Sequence, residues 1–156
     1  VRRISVQSAQ DMLQAVQSEV ASAQLFIAAA AVADWRVANA AAHKLKKDGT
    51  GQAPALEFAE NPDILATVAA SARAQAGQLY CVGFAAESEN LESHAKAKRE
   101  RKGVPLLVGN IGPDTFGQDD NALLLVDASG SRQLPRASKR VLAQQLIAEI
   151  ARRLTA

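Results

Sequence analysis

Short apolar runs alternate along the chain with segments whose apolar positions recur every three or four residues. Arg2–Val6 reads as a strand and Ala9–Glu19 as a helix, with Ser8 as its N-cap and Asp11 in its acidic first turn. Gln24–Val32 is an almost continuous apolar run, as expected of a strand covered on both faces. Residues 33–53 lack apolar periodicity and contain KKDGTGQ, which predicts a mobile loop. Leu56–Ala59 is a short strand candidate. In ENPDILATVAASARA, Asn61 is the expected cap, Pro62 the first helical residue and Asp63 a complement to the positive end of the dipole.

Gln78–Ala85 reads as the next strand and Asn90–Lys102 as a charged helix stopped by Gly103. Pro105–Gly109 follows as a strand. Asn121–Asp127, the turn ASGS and Arg132–Leu134 read as a hairpin. Ser138 caps a last helix whose Val141, Leu142, Leu146, Ile150 and Leu154 form an apolar stripe. The alternation predicts an α/β fold: a Rossmann-like open, mostly parallel sheet with helices on both faces and a C-terminal hairpin plus helix. Ligands of such sheets sit at the carboxyl ends of strands. Four junctions meet that rule: the end of Gln24–Val32, the NPDI helix start, the end of LYCVGFA and the loop after LLVGN.

Composition narrows the picture. The 156 residues suit one domain, and 48% apolar with 22% charged residues is ordinary for a globular protein. A formal charge of +2 makes no global demand for nucleic acid or an acidic membrane. The longest apolar run, Leu25–Ala33, is nine residues, too short to span a bilayer, and a cytoplasmic location is expected. Cys81 is the one cysteine, which excludes an internal disulfide.

Local chemistry is concentrated in a few places. Lys98 and Lys102 stand four residues apart on one helix face, a like-charge pair with no carboxylate among the i±3 and i±4 neighbours of Lys98. That arrangement suits either a solvated helix end or a polyphosphate dock. Lys44, Lys46 and Lys47 flank Gly49 and Gly51, and a Gly-hinged lysine loop can close over a charged ligand. Asp34, at the end of an alanine-rich strand, either caps a turn or receives hydrogen bonds from a ligand. Phe84, beside Gly83, reads as core before it reads as a stacking surface. No P-loop, GxGxxG or GxSxG motif occurs, and His43 and His94 have no metal-ligand spacing.

In order along the chain, AAAVADWR, HKLKK, ENPDILATVA, VGFAAESENL, AKAKRERKG, LLVGN and NALLLVDASG resemble the bacterial phosphopantothenoylcysteine synthetases, CTP-dependent ligases of coenzyme A biosynthesis. The resemblance implies a two-step ligation. The carboxylate of 4′-phosphopantothenate attacks the α-phosphate of CTP, giving an acyl cytidylate and pyrophosphate; the amine of cysteine then displaces CMP. It implies nucleotide contacts by Ala28, Ala29, Ala30 and Asp34 and a phosphate-facing catalytic Lys44. Pro62, Asp63, Ile64, Leu65, Phe84, Lys98 and Lys102 would line the pocket. Mg2+ or Mn2+ is implied alongside CTP, as are a homodimer and a flavin-dependent decarboxylase fused or associated in the full-length protein. The apolar NALLLVD hairpin is the surface expected to meet a second copy.

The sequence departs from the family at Arg36-Val37, where the pattern has Arg-Pro, and at Gly109-Asn110-Ile111, where it has Ala-Asn-Asp. The family's strand, Gly-rich turn and helix that serve phosphopantothenate have no match in these residues. The expectation is a single CTP-binding ligase domain over residues 1–156, N-terminally truncated relative to the family, that binds CTP but does not ligate alone. The competing expectations are a non-catalytic nucleotide-binding module and a nucleic-acid binder using KAKRERK. Low net charge and few aromatics favour no nucleic-acid partner, and no membrane partner is expected.

Overall fold

The computed structural model describes residues 1–41, 43–46, 49, 51–112, 115 and 117–155. In chain order its elements are α1 (Ala9–Val20), β1 (Leu25–Ala28), β2 (Trp35–Val37), β3 (Phe58–Glu60), α2 (Ile64–Ala69) and α3 (Ala72–Gln75). They continue with β4 (Tyr80–Glu87), α4 (Leu91–Lys102), β5 (Leu106–Ile111), β6 (Asp120–Asp127), β7 (Gly130–Ser138) and α5 (Lys139–Leu154).

The main sheet has the order β1-β4-β5-β6-β7. β1, β4 and β5 run parallel, while β6 and β7 form the C-terminal antiparallel hairpin. Side chains of a strand alternate between faces, and the core divides accordingly. Cys81, Ala85, Leu107 and Val126 face α2 and α4, with Met12, Leu13 and Val16 of α1 at the margin. Val82, Leu106, Val108, Leu123 and Leu125 face Leu142, Leu146 and Ile150 of α5. Each of these α5 side chains is almost fully buried, worth about 1.5–3 kcal/mol apiece. The result is the α/β sheet with helices on both faces that the alternation predicts.

Close approach matters at one layer. A Cβ on Gly109 would lie 2.9 Å from the tip of Leu91 and 3.5 Å from Ala95, so the glycine gives α4 room to seat directly on β5.

Four expectations need correction. Residues 1–6 carry no regular element; Arg2 instead forms an ion pair of 3.1 Å with Glu19 near the end of α1. The apolar run after Gln24 is a strand only over Leu25–Ala28, because the chain beyond it turns across the top of the sheet. The loop over 33–53 is not wholly irregular: Trp35–Val37 pairs antiparallel with Phe58–Glu60 as a separate two-stranded ribbon. Such distant pairing leaves no local signal. Finally, NALLLVD offers no free apolar face, since Leu123 and Leu125 are buried under α5 and Val126 under the other layer. Ser8, by contrast, caps α1 as expected, accepting from Asp11 N–H while the Asp11 carboxylate accepts from Ser8 N–H.

Candidate functional site

Beyond Ala28 the backbone crosses the carboxyl end of the sheet. There Asn61 clasps it: Asn61 Nδ2 donates to Ala33 O at 2.9 Å, and Asn61 N–H donates to Asp34 O at 2.7 Å. Arg36 adds a donor to Glu60 O. Asn61 Oδ1, the atom that would cap α2, accepts from Arg36 Nη1 at 3.4 Å. Asp63 is the N-cap instead, accepting from Ala66 N–H at 3.0 Å, and the helix begins at Ile64 with Pro62 outside it.

The clasp leaves a cleft of about 520 Å3 between the alanine segment, the NPD turn, β4 and α4. That volume lies in the usual range for a small-molecule site. Ala28, Ala29, Ala30, Asp34, Pro62, Asp63, Ile64, Leu65, Phe84, Lys98 and Lys102 all line it. The structure therefore brings together every expected site residue except Lys44, which stands exposed in its loop and away from the lining; Lys46 is also exposed. Lys47, Asp48 and Thr50 of the expected flap lie outside the described residues. A second depression, of about 550 Å3, sits where β4 and β5 begin and includes buried Cys81, but it lacks the converging lysines of the cleft.

Met12 and Phe26 also line the cleft. Sequence reasoning missed both, since Met12 belongs to an apolar stripe with Leu13, Val16 and Val20 and reads as core.

The electrostatics differ from the expectation for the two lysines. No helical neighbour relieves Lys98, but Glu87 at the end of β4 does, with Lys98 Nζ 3.4 Å from its Oε1. Lys102 forms an ion pair with Asp63 across the cleft. Burial works against the charged form of Asp63, yet the Lys102 ammonium and the Ala66 N–H outweigh it and hold the carboxyl below its ordinary range. Because that carboxylate occupies the start of α2, the positive charge on this side of the cleft is carried by lysines rather than by a bare helix terminus. Elsewhere on α4, Lys96 pairs with Glu92 and Arg99 donates to Val104 O, so much of KAKRERK is engaged within the fold.

Residues 1–154 match the family model described as the DNA/pantothenate metabolism flavoprotein C-terminal domain. The chain belongs to this family. Flavoprotein C-terminal-domain relatives include the coenzyme A biosynthesis bifunctional proteins CoaBC of Vibrio cholerae, 40% identical over 94% of the chain, and Escherichia coli, 41% identical over 98%. The chain spans 37% and 38% of those two relatives' lengths. The crystal structure of the C-terminal domain of a CoaBC protein superposes with a TM-score of 0.74 at 27% identity, covering 97% of this chain and 65% of that one. A Cab2 mutant solved with phosphopantothenate-cysteine shares the fold, with a TM-score of 0.75 at 18% identity over 97% of this chain and 52% of that one. Among the described residues of this family member, no helix is long and apolar enough to cross a membrane.

Proposed function

We propose that the chain supplies the CTP-binding part of a phosphopantothenate–cysteine ligase of coenzyme A biosynthesis, with 4′-phosphopantothenate and cysteine as the substrates joined. The observation that carries this reading is convergence. Residues from β1 and its continuation, the NPD turn, β4 and α4, separated by up to 74 positions from Ala28 to Lys102, meet in one cleft. Family membership supports the same assignment.

The chemistry follows from what each part presents. Alanines 28–30 expose backbone donors and acceptors to a base edge without side chains in the way. Asp34 supplies an acceptor beside them. Lys98 and Lys102 meet phosphate oxygens, and Lys44 joins them when its loop closes. Fixed cations of this kind stabilise the charge that grows on departing pyrophosphate. Among the described residues no group of three or more His, Cys, Asp or Glu side chains suits a resident metal. Asp34 in the cleft lining is the carboxylate that would hold Mg2+ or Mn2+ arriving on the triphosphate, since Mg2+ commonly keeps one or two carboxylates, waters and phosphate oxygens as ligands.

Thermal unfolding with CTP, ATP, GTP and UTP tests the assignment. CTP at a hundredfold its Kd adds about 2.7 kcal/mol of stability, and the other nucleotides add less. Lys44→Gln is expected to weaken CTP about tenfold and CMP less than twofold. Equal losses for the two ligands would remove Lys44 from the phosphates.

The same reading includes a symmetric dimer. Its support in the fold is the β2–β3 ribbon, whose Trp35 and Phe58 lie on one exposed face at 60% and 64% exposure. A second copy covering this face accounts for two bare aromatics. Sedimentation is expected to give a dimer at micromolar concentration; a monomer at high micromolar concentration contradicts it.

A further inference from the structure

Two lysines line the cleft, and each already holds a carboxylate, but the two carboxylates differ in kind. Asp63 lines the cleft and is tied by its cap to Ala66 N–H. Glu87 does not line the cleft; it stands behind Lys98 as the last residue of β4, its side chain 20% exposed. Among the described residues its carboxylate meets only Lys98, at 3.4 Å, and His94 Nδ1, at 3.7 Å, one turn earlier on α4. No backbone duty fixes the Glu87 carboxylate, so its hold on Lys98 can be surrendered without breaking a helix cap.

A phosphate oxygen that reaches Lys98 enters the field of this carboxylate. Both anions seek one ammonium and repel each other, and at such short range in a partly desolvated position the repulsion is weakly screened. We propose that Glu87 is the resident counter-ion of Lys98: it holds the ammonium at the wall of the cleft and, by competing with the ligand, sets how tightly the polyphosphate is held. The inference rests on the nucleotide reading of the cleft and adds to it the residue that tunes phosphate affinity. A looser grip favours departure of the pyrophosphate that the ligation releases.

Isothermal titration at low salt of the wild-type chain, Glu87→Gln, Lys98→Gln and the double variant, each against CTP, cytidine and tripolyphosphate, tests the proposal. Glu87→Gln is expected to bind CTP and tripolyphosphate about threefold to tenfold more tightly, with cytidine unchanged. The gain is expected to vanish when Lys98 is also Gln, and to shrink as salt is raised. Glu87→Asp, which keeps the charge, is expected to stay within about twofold of wild type. A purely structural role for Glu87 predicts the opposite sign, a weaker hold on every ligand.

An unchanged or weaker grip on tripolyphosphate in folded Glu87→Gln, or a gain that survives without Lys98, overturns the proposal. Glu87→Ser is measured alongside and held to the same outcomes, so that misfolding of one variant leaves the other to decide. Tripolyphosphate has no base. A wild-type chain that binds it without preferring CTP overturns the cytidine reading alone, and the Glu87 effect is then read on tripolyphosphate.

Discussion

Changing Lys98 and Lys102 together to glutamine lowers the affinity for CTP by about a hundredfold, the largest ligand effect expected anywhere in the chain. Each ammonium contributes a charge-assisted hydrogen bond worth about 1.5–3 kcal/mol, less the cost of leaving its carboxylate. The two lysines give up Glu87 and Asp63 on binding, which trims the total toward about 3 kcal/mol, or about two powers of ten. CMP, with one phosphate, is expected to lose about tenfold and cytidine almost nothing. Titration calorimetry over the three ligands checks the gradient. A loss of the same size for cytidine would show that the double variant damages the cleft rather than its charge.

The largest stability effect expected of removing a charged side chain lies far from the cleft. Glu149 on α5 is 8% exposed and receives Arg152 Nη2 and Arg153 Nε at 2.7 Å each, with Arg132 of β7 at 2.9 Å. Arg153 in turn reaches Asp127 of β6 at 2.7 Å, so one carboxylate pair ties the hairpin to the last helix. Removing Glu149 leaves three guanidinium groups crowded together. Breaking a buried pair costs about 3–5 kcal/mol, but Arg132 and Arg152 are more than half exposed, so about 2 kcal/mol is expected for Glu149→Ala.

Acid gives an independent readout. Hydrogen bonds from Arg152 bring Glu149 down from 4.5 to about 2, and the Ser129 hydroxyl followed by Arg153 brings Asp127 down from 3.8 to about 2. Depressed carboxyls stabilise the fold fully above their unfolded values and lose that contribution as pH falls through the folded ones. Thermal unfolding followed from pH 6 to pH 2 should therefore show a melting temperature that drops below about pH 4.5, and a shallower drop in Glu149→Gln. An equally steep drop in that variant would assign the acid sensitivity to other carboxyls.

What the sequence made legible was local. Ser8 with Asp11, Gly103 in the left-handed conformation at φ 64°, and the stripe of Leu142, Leu146 and Ile150 are readable because each depends on neighbours within one or two turns. Asn61 and Asp63 show the limit. Both are good caps, and the choice between them depends on Ala33 and Arg36, 28 and 25 residues away, which engage the nitrogen and the oxygen of the Asn61 amide. The ribbon of Trp35–Val37 was invisible for the same reason, its partner lying beyond 20 intervening residues. Helical spacing marked Lys98 and Lys102, a strand end marked Asp34 and a helix start marked the NPDI turn, while an ordered resemblance supplied the rest of the cleft; the geometry gathers all but Lys44. The carboxylates that relieve Lys98 and Lys102 arrive from β4 and from the cap of α2, where no helical periodicity points.

The seat of α4 on Gly109 gives the cleft a mechanical property. Ala95 is wholly buried in that seat, and one turn further along the same helix Lys98 opens onto the ligand side. Because a helix moves as a unit, the height of both ammonium groups above the sheet follows from how closely Leu91 and Ala95 approach Gly109. A methyl group added at Gly109 would meet the tip of Leu91 at 2.9 Å and Ala95 at an ordinary 3.5 Å, so a rotation of Leu91 absorbs it and the helix keeps its height. Only a larger side chain at Gly109, one that Leu91 cannot clear, would lift α4 and carry Lys98 and Lys102 away from the sheet.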